Sequence, residues 1–273
     1  MNVSKLKNIV IAVLVLVNLF FLIIIVLNNY TDAKIARQAI ENVCTILNNS
    51  NISINTDCIE PAPDISTMRT MREEEMETMI AEVFLNETSV TEQGVIRTYE
   101  NPGRGTAEFS SAGDFEIYLK DGAITNEDGS VNTVVSLLRD MRIDTTIPSV
   151  SFDQGSEIIS VESKYRATII YNCTITFIFS GNNLNSVKGR YVSGIEPTAN
   201  GVNISYVGTA LLGLLAAVKR GEVDCTDITK VEAGFMYSAI GSFGESVISP
   251  VWLIITDTGR YIVDSATGDI RPI

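Results

Sequence analysis

Histidine is absent from all 273 residues. Its absence excludes a Ser-His-Asp or Cys-His catalytic apparatus and any imidazole metal ligand. No C-x-x-C pair occurs, and no G-x-x-x-x-G-K-[ST] phosphate loop. Positive charge is also scarce: 20 Lys and Arg stand against 33 Asp and Glu, for a net charge of −13. Such an excess of acid repels phosphate backbones and anionic headgroups, so neither a nucleic acid nor a lipid surface is expected as a partner. Acids are so numerous that no carboxylate pair stands out as a catalytic dyad. The chain is read as a non-enzyme, with no cofactor and no metal.

One region is rich in what the rest lacks. Residues 9–27 read IVIAVLVLVNLFFLIIIVL, nineteen residues with Asn18 as the only polar side chain. At 1.5 Å per residue this run is about 28 Å long, which predicts a single transmembrane helix. Asn28, Asn29, Tyr30 and Thr31 follow in place of the small residues of a cleavage site, so the helix is expected to stay as an anchor. Lys5 and Lys7 precede it without an acidic neighbour, which keeps residues 1–8 in the cytoplasm and exports the rest. All 33 acids and 18 of the 20 basic residues then lie outside, a net charge of −15.

The exported part predicts an α+β architecture of repeated helix plus antiparallel-sheet units. Ile35, Ala39, Ile40, Val43 and Leu47 are spaced as one helix face, and a strand-and-loop stretch with Pro61 and Pro63 follows. A second helix is predicted over 71–85, where Met76, Met79, Ile80, Val83 and Phe84 oppose Glu73, Glu74, Glu75 and Glu77. These acids are taken as a solvated face near the helix N-terminus. Short strands then fill 90–125. A third helix is expected around 131–141, followed by strands over 165–171 and 172–180, the latter with Cys173, Ile175, Phe177 and Phe179 alternating inward. A fourth helix starts near Val207 and stops at Gly221. Strands around Val231 to Tyr237, 250–257 and 260–264 close the chain, the last two joined by a hairpin at Thr258 and Gly259. The strand at 250–257 is apolar on both faces, which places it centrally under a helix and Trp252 in the core. A division near residue 145 separates a membrane-proximal domain, 33–145, from a C-terminal domain, 146–273.

Two sets of residues are singled out. An amide inside a bilayer gains by bonding to a neighbouring helix, so Asn18 is the candidate contact with a membrane partner. Cys44, Cys58, Cys173 and Cys225 all lie in the exported part, where disulfides form, and Cys44 with Cys58 is the local candidate pair.

The opening MNVSKLKNIV, with Asn18, Leu19 and Phe20 inside the span, resembles that of the YycH/YycI regulatory proteins of Gram-positive bacteria. The stretches 210–215 (ALLGLL), 228–235 (ITKVEAGF), 250–252 (PVW) and 261–268 (YIVDSATG) are similar to YycI in order, and the last also resembles PepSY-type hairpins. The resemblance implies a single-pass, extracytoplasmic protein that modulates the sensor histidine kinase of a cell-envelope two-component system, through that kinase or a YycH-like protein. A different class of function is a non-catalytic envelope binding or assembly module for peptides, wall hydrolases or spore-coat components. There an exposed sheet edge would accept an extended peptide; an open edge beside an apolar groove would favour this reading and a covered edge would disfavour it.

Overall fold

The computed structural model describes residue 14 and residues 17–22, 34–127, 129–240 and 246–273. In chain order the elements are α1 (34–49), β1 (Ser53–Ile54), β2 (Met68–Thr70), α2 (Glu74–Leu85), β3 (Ser89–Gln93), β4 (Ile96–Asn101), β5 (Gly105–Ser110) and β6 (Asp114–Leu119). Then come α3 (Ser130–Asp140), β7 (Ser149–Asp153), β8 (Ser156–Tyr165), β9 (Thr168–Ser180), β10 (Asn183–Arg190) and β11 (Glu196–Pro197). The chain ends with α4 (Val207–Lys219), β12 (Asp227–Ala239), β13 (Ser246–Thr256), β14 (Arg260–Asp264) and β15 (Ile270–Pro272).

The architecture is α+β, built on a large open sheet. Among the described residues no helix is long and apolar enough to cross a membrane. Most of the expected span at 9–27 lies outside the described residues; Leu14 and residues 17–22 are helical and exposed.

Each of α2, α3 and α4 leads into antiparallel strands. The first two meanders merge into one antiparallel array, β7-β8-β9-β10-β6-β5-β4-β3, because β6 and β10 pair side by side. Residues on both sides of 145 therefore share one sheet. Helices α2 and α3 contribute Ile80, Phe84, Val134 and Leu138 to a core with Tyr99, Phe109, Ile117, Ile159 and Phe177 from the strands. In β9, Cys173, Ile175, Phe177 and Phe179 all point inward, the period-2 burial expected of a strand with one covered face.

A second array carries β12, β13, β14 and β15, with β2 beside the first half of β13 and β1 against β12. Helices α1 and α4 cover one face, where Val43, Leu47, Leu211 and Leu214 meet Val231, Trp252 and Ile254. On the other face of β13, Val251 and Leu253 pack with Tyr171, Met236 and Ile262, so this strand is buried on both sides as its sequence predicts. Trp252 is 1% exposed and belongs to the core.

The arrays join through β9. Its N-terminal end pairs in parallel with β12 at Ile170 and Phe235. Where the strands diverge, the Asn172 amide takes over: its Nδ2 donates to the Tyr237 carbonyl and its Oδ1 accepts the Tyr237 N–H, both at 2.8 Å. Arg190 adds a link, its guanidinium stacked 4.7 Å from the Tyr237 ring centre while bonded to Asp114 at 2.7 Å.

The chain turns where sequence gives little notice. β8 reverses into β9 at Arg166 and Ala167, both with positive φ, 48° and 69°. Neither is the Asn or Gly that such hairpins favour, and so the strands expected over 165–171 and 172–180 are instead a single β9 beginning at Thr168. Gly105 has the opposite character. Its φ of +146° and a virtual Cβ 2.0 Å from the Tyr118 carbonyl leave room for no side chain.

Candidate functional site

An open sheet must deal with its edges, because unpaired N–H and C=O groups invite another strand. Four edges here are blunted. β3 carries Glu92, held at 3.1 Å by Arg97, and β1 has two residues. β11 is two residues ending in Pro197, and β15 is three residues containing Arg271 and Pro272. β7 is protected only at its ends, by Pro148 before it and Asp153 at its turn: among the described residues it pairs with β8 alone, and Ser149, Val150, Ser151 and Phe152 between them carry neither charge nor proline.

Its geometry follows from its hairpin. Gln154 (φ 47°) and Gly155 (φ 85°) form a two-residue turn with positive φ at both positions, the type I′ form that suits the sheet twist. The flanking pair Asp153 and Ser156 is then a hydrogen-bonded pair, and pairs alternate from there. Ser151 and Ser149 bond inward to β8. Val150 and Phe152 direct their N–H and C=O groups outward, to the open edge.

The same two residues carry the apolar side chains. Val150 stands opposite Ile159, a buried core residue, so the Val150 and Phe152 side chains lie on the helix-covered face. Helix α3 stops one strand short of them: Ser130 at its start donates to Glu157, the residue across from Phe152, at 2.8 Å. Phe152 is left 76% exposed and Val150 44%, with Ile147 at 90% just before Pro148. On α3, Val131 and Val135 are also exposed. The result is an unpaired backbone edge beside an uncovered apolar strip. Sequence reasoning missed β7, reading 144–148 as a division; the signal was the Val150 and Phe152 alternation ahead of Gln154 and Gly155.

A concavity of about 720 Å³ lies between α1, residues 56–62 and the start of α4. Ile40, Ile59, Ala62, Ile204 and Trp252 give it apolar walls. The Trp252 indole donates to the Ser205 carbonyl at 2.9 Å, and the Tyr206 hydroxyl to the Ala36 carbonyl at 3.2 Å, which ties the loop before α4 to α1.

The acid cluster of α2 divides. Glu73, Glu74 and Glu75 are not buried, but Glu77 is fully buried, contrary to a solvated face. Its carboxylate accepts two bonds from Arg72, at 2.5 and 3.0 Å, and one from the Tyr191 hydroxyl at 3.1 Å, with Arg97 at 3.8 Å. The signal was in its spacing, since position 77 falls on the stripe of Ile80, Ala81 and Phe84. Hydrogen bonds from Arg97 to Glu74 and Glu92 hold that guanidinium charged.

No group of three His, Cys, Asp or Glu side chains among the described residues is arranged to hold a metal. Burial pushes the Glu162 carboxyl up, with Arg260 at 3.8 Å opposing it, and Lys230 bridges Glu232 at 2.6 Å and Glu60 at 3.2 Å. Asn18 is exposed on the helical segment 17–22. Cys44 is buried on α1, Cys58 ends the 3-10 turn Thr56–Cys58, and both thiols are free. Burial pushes the Cys44 thiol up, and the neighbouring Cys58 adds to the shift.

No protein-family model matches the chain. A search of curated proteins gives no match. Among solved structures, the Bacillus megaterium YpeB C-terminal domain aligns with 75% of this chain and 99% of its own length, at 12% identity and a TM-score of 0.36. A score that low carries no argument about fold or function.

Proposed function

We propose that the chain is a non-catalytic binding module of the cell envelope, which holds a second polypeptide by taking an extended segment of it as an added strand at β7. The observation that carries this reading is the open middle of the β7 edge, where the outward-facing backbone groups belong to Val150 and Phe152, the residues with uncovered apolar side chains. The apolar run at 9–27 supports presentation from the outer face of the membrane. A fitting segment has apolar residues at alternate positions to lie beside Val150 and Phe152.

Val150→Pro is the direct test. The Val150 N–H faces the open edge, so proline there removes a donor that an added strand needs and spares the β7–β8 ladder. Partners recovered from native membranes by crosslinking should be lost with V150P, while the unfolding temperature stays at the wild-type value. Undiminished recovery with V150P would refute strand addition.

A second reading, that the protein modulates a sensor histidine kinase or pairs with a YycH-like protein through its anchor, is supported by Asn18, exposed on its helical segment. Substituting Asn18→Leu should then weaken co-purification of the kinase. Equal recovery would remove this reading.

A further inference from the structure

We infer that the strand which fits β7 best is β7 of a second copy of this chain, paired antiparallel about a two-fold axis through Ser151. The inference rests on the strand-addition reading and names its partner. Three observations lead to it.

The first is register. With Ser151 of the two copies opposite each other, Val150 of each faces Phe152 of the other. These are the residues whose N–H and C=O groups point out of the sheet, so both backbone pairs close with no donor wasted. Shifting the register by one residue would face them with groups already bonded to β8.

The second is chemistry. On the helix-covered face the two exposed apolar residues of one copy meet those of the other, and on the opposite face serine meets serine. Ser149 faces Asp153, so no like charges are directly opposed. The two Asp153 side chains sit four residues apart along the strands, about 14 Å, beyond a Debye length of about 8 Å.

The third is length. Pro148 ends the strand on one side and the Gln154 and Gly155 turn on the other, so Ser151 is the midpoint of β7. A two-fold axis at the midpoint uses every residue of the strand. It also keeps the helices of both copies on the same side of one continuous sheet, because residues paired across antiparallel strands share a face, and makes the interface isologous. The apolar strip would then be covered from both sides by one operation.

A five-residue strand pair is a small interface, so covalent trapping in native membranes is the appropriate readout. The full-length chain carrying Cys58→Ser, which removes the part-exposed thiol, is compared with and without Ser151→Cys or Ser149→Cys. A mild copper-phenanthroline oxidant takes two electrons from the two thiols, which lose their protons as one S–S bond forms. Residues facing each other in a non-hydrogen-bonded pair have Cα atoms about 4.5 Å apart, within disulfide reach, whereas the two copies of residue 149 are about 14 Å apart and out of reach. S151C should therefore give a dimer at about tenfold the yield of S149C, reduced to the S149C level when V150P is added. Raising the salt concentration should increase the yield, because two acidic bodies repel less when screened.

Equal yields from S151C and S149C, or an S151C dimer that survives V150P, would overturn the proposal. If S151C gives no dimer while V150P still abolishes recovery of another protein, self-pairing is wrong and strand addition stands. If V150P changes neither result, both fall.

Discussion

Removing the buried carboxylate of Glu77 should destabilise the protein more than any exposed acid. Glu77→Ala strands the Arg72 guanidinium, whose side chain is 16% exposed and spends two hydrogen bonds on this carboxylate, and takes the most distant of three carboxylates from Arg97, 9% exposed. Arg97 keeps Glu74 at 2.8 Å and Glu92 at 3.1 Å, so the loss falls mainly on Arg72 and on the Tyr191 hydroxyl. Breaking a buried pair from one side costs about 3–5 kcal/mol, which in a domain of this size lowers the unfolding temperature by about 6–20 °C. Glu77→Gln keeps an acceptor for Arg72 and should cost about 2 kcal/mol. Replacing the whole group with apolar residues, Arg72→Met with Glu77→Leu and Tyr191→Phe, removes the desolvated partners together and should restore most of the loss. Calorimetry of the four proteins provides the comparison. If E77A shifts the transition no more than E77Q, or if the triple variant is no better than E77A, the carboxylate is not what neutralises that buried site.

Three further outcomes follow from geometry already described. Trp252→Phe loses the indole bond to Ser205 along with buried volume, and should cost about 2 kcal/mol in chemical denaturation. Thiol labelling of the reduced native protein should run in order of exposure, Cys58 first and Cys173 last. Cys173 is fully buried and its thiol is pushed up to about 12 by that burial, so mass spectrometry should find it modified only on unfolding. Asp257 accepts bonds from the Thr226 hydroxyl, the Thr226 N–H and the Asp227 N–H, which hold its carboxyl below the ordinary range. Its stabilising contribution is therefore complete above the unfolded-state pKa and lost as pH falls through the lower folded value. Asp257→Asn should flatten the acid limb of a stability–pH profile and leave the neutral region parallel to wild type.

Elements whose burial repeats along the chain were legible in the sequence. The helical spacing of Val43 with Leu47, Ile80 with Phe84, Val134 with Leu138 and Leu211 with Leu215 located four helices to within a few residues. Alternation located the second half of β9, and Thr258 with Gly259 located the last hairpin. Long-range choices left no local trace. Nothing in the residues around Ile170 and Phe235 announces that they pair in parallel, or that β6 would meet β10 across the expected division. Glu77 was misplaced because charge was weighed ahead of position on the helix. The β7 edge leaves little trace in the sequence because five residues with two apolar side chains make a weak pattern, and it is the fold that leaves β7 paired with β8 alone among the described residues.

Strand β9 has a mechanical consequence. Its thirteen residues run without interruption from a pairing with β12 into the middle of the first array, and Asn172 is bonded at the point of departure. A load applied to α1 would enter the second array, through α4 and Trp252, and pass into the first along a covalent backbone that is itself hydrogen-bonded at both ends. The two arrays share a splint where a hinge would otherwise sit, so a displacement at the N-terminal end arrives at the β7 edge as a tilt of the whole sheet.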